Sequence, residues 1–210
     1  MISYVGDGHP LEAWLSQRNR VRQFDFMHSA FFLWEAQGRK HPTPQFLQDL
    51  NFYATHYLSN SPGELRSETK IDVSINGSSH QPPRWWEVGR DLERFFVRLA
   101  ELTGANEAIK AAAFSLWRIN WIHPFEQGNG RTARAFCYFL LCQSSEMWLP
   151  GAPVLPELIR NDRQQYCRLL QLADEKATDD GWSGGLTELE IFLEKLLKVQ
   201  LETAIALRSE

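Results

Sequence analysis

The chain is poor in four things, and each shortage excludes something. Cysteine is rare: Cys137, Cys142 and Cys167 are the whole complement of 210 residues. The number is odd, none has metal-ligand spacing, and all three fall inside helical patterns. That excludes a disulfide framework and reads as buried free thiols in a reducing compartment. Long apolar runs are missing, since no stretch approaches the roughly 20 residues needed to cross a bilayer. A basic excess is missing too: 22 Lys and Arg against 26 Asp and Glu leave a formal charge of −4. This argues against nucleic acid as the main partner. Strand patterns are nearly absent. The opening residues, Met-Ile-Ser-Tyr-Val-Gly-Asp-Gly-His-Pro, do not form a secretory signal. A cytoplasmic, bacterial setting is therefore expected, with delivery into a host left open.

What the chain has is aromatic and helical. Eight Trp and thirteen Phe within an apolar fraction of 43% predict an aromatic core in one domain, or one domain with a short appendage. Helices are expected from Pro10 to Phe26, with Leu11, Trp14, Leu15 and Val21 inward, and over residues 28–37, stopped by Gly38. Thr43-Pro44 starts a third helix reaching Leu58. Others follow at 84–102, 106–121, Arg131–Cys142 and Asn161–Leu170, and a final one opens at Thr187 with Leu189, Phe192, Leu193, Leu196 and Leu197 inward. Ile71-Asp72-Val73-Ser74-Ile75 alternates and meets Asn76-Gly77, a hairpin signal. The fold class is all-α: a helical bundle with one small β-hairpin. Residues 1–40 are read as N-terminal helices packed on the core, 41–180 as the core and 181–210 as a C-terminal helix, with Gly181 to Gly185 as the flexible link.

Chemistry concentrates in residues 123–134, His-Pro-Phe-Glu-Gln-Gly-Asn-Gly-Arg-Thr-Ala-Arg. Gly128-Asn129-Gly130 offers unhindered backbone N–H groups just before a helix, a ready anion site. Arg131 and Arg134 are three apart and share a helix face over it. His123 precedes the turn and can accept a proton near neutral pH. The set describes phosphoryl or nucleotidyl transfer. A plainer reading makes the glycines a tight interhelical turn and Arg134 a salt-bridge partner. His9, His28, His41, His56 and His80 are read as structural or solvated, and Trp85, Trp86, Phe95, Phe96, Trp117 and Trp121 as core.

This stretch resembles the signature of the Fic family, His-Pro-Phe-x-(Asp/Glu)-Gly-Asn-Gly-Arg-x-x-Arg, and departs from it only at Gln127. Residues 63–83 resemble the family's flap, Ala111 to Ile122 its helix into the motif, and Asn161 to Leu170 its later helix. The resemblance thins before residue 40. It implies His123 as the base that deprotonates a target hydroxyl, with Pro124 and Phe125 anchoring the motif loop. It further implies Gly128, Asn129 and Gly130 as the donor's anion hole, and Arg131 and Arg134 as holders of the distal phosphates. The implied activity is transfer of AMP from ATP to Ser, Thr or Tyr of a target protein, with Mg²⁺ or Mn²⁺ as cofactor. Ile71, Asp72, Val73 and Ser74 become a docking edge for the target, as an exposed strand edge can pair with an extended segment.

Gln127 stands where the family's carboxylate binds metal. A neutral carbonyl is a poor ligand for magnesium, which wants hard anionic oxygens. Glu126 is the nearest carboxylate but points elsewhere if neighbours diverge as usual. The expectations are weaker metal use, another donor (UMP, phosphocholine or phosphate transfer), or a binding module without catalysis. The family's autoinhibitory segment, (Ser/Thr)-x-x-x-Glu-(Gly/Asn), has no match, as Thr103 to Glu107 is followed by Ala108. Either a separate small inhibitory protein restrains the chain or the weak metal site makes restraint unnecessary. A homo-oligomer is left open.

Overall fold

The computed structural model describes residues 5, 8–39, 41–68, 73–75, 80–104, 107–177, 182 and 185–206. Among them the chain is all-α. The helices are α1 (Glu12–Gln37), α2 (Pro44–Thr55), α3 (Val88–Gly104), α4 (Ala108–Ile122), α5 (Asn129–Ser144), α6 (Leu155–Asn161), α7 (Arg163–Glu175) and α8 (Thr187–Ala206), with one 3₁₀ turn at Trp85–Glu87. No strand occurs among the described residues, and an isolated antiparallel bridge joins Leu65 to Phe125. Of the expected hairpin, Val73 and Ile75 are half-buried and Ser74 is exposed, while Ile71, Asp72, Asn76 and Gly77 lie outside the described residues.

Helices α4 and α5 are the centre. In α4 every residue from Ala111 to Ile119 is buried, and in α5 every residue from Ala135 to Cys142. A helix apolar on all sides needs neighbours all round. α3 and α8 pack on α4, α1, α2 and α6 on α5, and α4 and α5 on each other. Ala111, Ala112, Ala113 and Ala133 are fully buried small residues that let backbones approach. Phe46, Phe136 and Phe139 fill the space beside them, with ring centroids 4.4 Å apart for Phe46 and Phe139. Truncating any one costs about 3–5 kcal/mol.

The N-terminal expectation is corrected. Residues 12–37 form one helix instead of two, and Leu11, Trp14 and Val21 are 51%, 57% and 58% exposed. The inward stripe is Leu15, Asn19, Gln23, Met27, Ala30, Phe31 and Trp34. Two of these are polar because the end of α2 needs donors. Asn19 Nδ2 donates to the His56 carbonyl at 2.8 Å and Gln23 Nε2 to the Leu50 carbonyl at 2.8 Å. Buried amides bonded this way lose little on leaving water, so apolar positions alone do not mark the inner face. Gly38 does stop α1, at φ 65°. Thr43 caps α2 through Phe46 N–H at 3.2 Å, with Pro44 in the first turn, as expected. α2 ends at Thr55, three residues early. Trp86 is 62% exposed and not core. α6 was not anticipated; it is short and separated from α7 only by Asp162.

Candidate active site

The site begins where α4 ends. His123 caps α4 in the left-handed region at φ 50°, its N–H bonded to the Ile119 carbonyl. Arg66, buried at 4% exposure, holds that end in place. Its Nε donates to the His123 carbonyl at 2.8 Å, and its other nitrogen to the carbonyls of Ile122 at 3.1 Å and Pro83 at 2.8 Å. A cation at a helix C-terminus meets the negative end of the dipole. The Arg66 N–H also donates to the Pro124 carbonyl at 2.9 Å, so Leu65-Arg66 runs alongside Pro124-Phe125 like one rung of a sheet. Phe125 is 1% exposed.

The turn itself is tied on both sides. Asn129 is buried and exchanges two hydrogen bonds with the Phe125 backbone, at 3.0 and 2.9 Å. Its side chain braces the loop, which leaves its backbone N–H for an anion. From below, Asn51 Nδ2 donates to the Gln127 carbonyl at 2.8 Å and to Thr132 Oγ1 at 3.2 Å, while its oxygen accepts Gly63 N–H at 3.0 Å. Gly128 sits at φ 80°, and a Cβ there would lie 2.4 Å from Thr55 Cγ2. Both facts require glycine. α5 starts at Asn129 with no side-chain cap. Among the described residues nothing accepts the N–H groups of Asn129, Gly130 and Arg131, the first-turn donors of a helix facing a cavity.

That cavity measures about 390 Å³ and is lined by His123, Gly128, Asn129, Gly130, Arg131 and Arg134, all of which were expected to lie together. Arg160 and Arg163 join them. Arg131 is held by a 2.7 Å bond to the Ala54 carbonyl, and burial pushes it down to about 10, with Arg134 and Arg20 adding repulsion. It stays charged at neutral pH. Burial likewise lowers Arg134, with Arg160 and Arg163 lowering it further against a raising effect of Tyr166. Neither arginine has a carboxylate partner among the described residues.

His123 is held below the usual histidine range, at about 4. Burial is the largest cause, the hydrogen bond to Asn120 opposes it, and Arg66 and His80 add repulsion. The ring is neutral at neutral pH. Its Nδ1 lies 3.1 Å from the Asn120 carbonyl, which can only accept, so Nδ1 carries the hydrogen and Nε2 keeps its lone pair. Asn120 is fixed in turn by Nδ2 bonds to the Leu116 carbonyl at 2.7 Å and Tyr166 Oη at 2.8 Å.

The sequence reading missed several lining or supporting residues. Arg66 and Asn51 carry no local pattern; they act through partners more than fifty residues away. His80 lines the cavity, its Nε2 bonded to the Trp121 carbonyl at 2.9 Å. Trp117 and Trp121 also line it, and behind them Arg118 is fully buried against Trp117, Trp121 and Trp182, 3.6 Å from the first ring centroid.

The residues present do not fit a magnesium ion at the motif. Gln127 brings no charge and is not among the cavity-lining residues. Glu126 is exposed and turned away, accepting Ser59 Oγ at 3.3 Å and Ser61 Oγ at 3.1 Å. No group of three or more His, Cys, Asp or Glu able to hold a metal occurs among the described residues. Of the docking edge, Val73 and Ser74 are described and Ile71 and Asp72 are not; Ile75 lines the cavity. No described helix is long and apolar enough to cross a membrane.

A neutral histidine, a helix N-terminus and two arginines thus line one cavity of a helical bundle. The sequence model of the Fic/DOC family matches residues 41–141, and the chain carries a domain of that family. Relatives named Protein adenylyltransferase Fic from Drosophila grimshawi and Drosophila mojavensis are each 32% identical over 115 residues, 54% of this chain. That stretch is 21% and 20% of those proteins, so the chain spans about a fifth of the length of the curated relatives it matches. Among solved structures, a Fic-domain-containing signaling protein from Bacteroides thetaiotaomicron gives a TM-score of 0.68 at 19% identity, covering 91% of this chain and 74% of that one. Fic-1 from C. elegans gives 0.69 at 17% identity, covering 98% and 55%. These two share the fold.

Proposed function

We propose that this chain is a Fic-type nucleotidyltransferase that moves AMP from ATP to a Ser, Thr or Tyr hydroxyl of a target protein. The observation that carries the reading is the shared cavity: His123, neutral with Nε2 unprotonated, faces the same space as the unpaired N–H groups of Asn129 to Arg131 and the Arg131 and Arg134 guanidinia. In this scheme the target oxygen forms a bond to the α-phosphorus as its proton passes to His123 Nε2. The bond from the α-phosphorus to the bridging oxygen breaks, and pyrophosphate leaves against the arginines. The charge that develops on the phosphates meets donors already in place, the largest usual contribution to such catalysis. No step is routed through a metal, because Gln127 supplies no carboxylate.

The relatives' name supports the donor and acceptor. Gln127 also favours a second reading, a donor that depends less on metal, such as one delivering UMP, phosphocholine or phosphate. The test is transfer of label from α-labelled ATP to proteins of a lysate by wild type, His123→Ala and Gln127→Asp. Label that vanishes with His123→Ala supports AMP transfer. Label from neither wild type nor Gln127→Asp removes ATP as the donor.

A further inference from the structure

Helix α1 is apolar on two opposite faces. Its inner stripe packs on α2 and α5. An outer stripe runs from Leu11 to Phe32 at alternating steps of three and four, about 32 Å along the axis. At 3.6 residues per turn it is centred about half a turn from the buried stripe. Leu11, Trp14, Val21 and Phe32 stand on it, each more than half exposed. Arg18, Asp25 and His28 fill its remaining positions. Single exposed apolar residues are ordinary on a monomer, but four large ones along one line mark a docking face.

The charges on the stripe select what docks there. Neither Arg18 nor Asp25 forms an ion pair among the described residues. Arg18 lies over the Trp14 ring, 5.5 Å from its centroid, and Asp25 is exposed. The two lie equally far on either side of the midpoint between Val21 and Arg22, and so do Leu11 and Phe32. A two-fold axis crossing α1 at that midpoint sets a second α1 antiparallel to the first. Arg18 of each copy then meets Asp25 of the other, and Leu11 meets Phe32. Trp14 falls against His28, and the two Val21 side chains meet beside the axis. The face is thus complementary to itself, as an isologous contact requires. A parallel pairing would instead set Arg18 against Arg18 and Asp25 against Asp25.

We infer that the outer face of α1 is a self-association surface whose occupant is the antiparallel α1 of a second copy of this chain. The apolar residues bury area, and the two reciprocal ion pairs fix the register and direction. Val21 also lines a cavity of about 570 Å³ that reaches Arg131 and Arg134. The contact therefore borders the back of the candidate site. It is independent of what that site transfers.

The experiment is sedimentation velocity of the full chain, 24.3 kDa as a monomer, over a concentration series. Wild type is expected at twice that mass in the micromolar range. Val21→Glu suits a helix surface but sets two like charges beside the axis, and it is expected to be monomeric. Arg18→Asp and Asp25→Arg each place like charges opposite one another in both halves of the contact, raising Kd about tenfold or more. The double variant Arg18→Asp with Asp25→Arg restores both pairs and is expected to return to wild-type association. Thermal melting shows that each variant is folded. A wild type still monomeric at about 100 μM overturns the surface, whatever else covers it. A dimer that survives Val21→Glu is built on another face and overturns it too. Single reversals that dissociate the dimer without recovery in the double variant overturn the antiparallel pairing.

Discussion

The Arg66 Nε donates to the carbonyl of His123, joining the Leu65-Arg66 segment to the residue proposed to accept the target's proton. Arg66 is buried and bonds the Ile122 and His123 carbonyls at the end of α4 and the Pro83 carbonyl beside it, so its removal leaves acceptors unmet. Arg66→Ala is expected to destabilise the chain by at least about 3 kcal/mol, taking charge-assisted bonds at ~1.5 kcal/mol or more each. Arg66→Lys keeps the charge but not the fork and falls between. Urea unfolding of the three proteins checks the order; equal midpoints for wild type and Arg66→Ala would refute it.

The depressed histidine predicts a pH profile. With a folded value of about 4 against an ordinary 6.5, His123 stays neutral while the unfolded chain takes up a proton. Neutral pH sees no cost. As pH falls from about 6.5 to 4 the unfolded state binds more protons, and stability declines by about 3 kcal/mol through this residue. His123→Gln should lose correspondingly less between pH 7 and pH 4, read by melting at each pH. In kcat/KM for transfer, no acid limb should appear near 6.5; it should lie near the folded value of about 4.

At Gly128 two costs can be separated. Gly128→Ala adds a Cβ 2.4 Å from Thr55 Cγ2 and sets alanine at φ 80°. The expected loss is about 2–4 kcal/mol, combining overpacking with left-handed strain. Thr55→Ser deletes Cγ2 and keeps the hydroxyl bond to the Asn51 carbonyl at 2.8 Å. The double variant should recover the steric share alone. A double-mutant cycle by chemical denaturation measures the coupling, and strict additivity would show that the overlap is relieved some other way.

Gln127→Asp places a carboxylate where this chain has a neutral amide. Transfer is expected to rise about tenfold or more, equivalent to ~1.4 kcal/mol at the transition state, and only with Mg²⁺ or Mn²⁺ present. Titrating metal against initial rate decides it. A gain that persists in a chelator would mean the new charge acts on the loop and not on a cation.

The part of the site that was legible in sequence is the part that is local. His123 to Arg134 is contiguous, so helix end, turn, helix start and charges could be placed from spacing alone. Thr43-Pro44 and Gly38 were legible for the same reason. Asn51 and Arg66 were not, because each acts on a group 57 or more residues away. α1 misled because Asn19 and Gln23 are buried by their bonds to α2 carbonyls, while Trp14 and Val21 look outward. Polarity predicts exposure only where no partner waits inside.

The anchoring of Arg131 to the Ala54 carbonyl and of the Gln127 carbonyl to Asn51 has a genetic consequence. The last turn of α2 and the motif loop form a single heritable unit although they lie far apart in the gene. Substitutions at Asn51 or Thr55 are expected to act through the loop's architecture and to be epistatic to those in residues 127–132. On the proposed function, screens that score only a modified product will assign such alleles to chemistry when the fault is architectural.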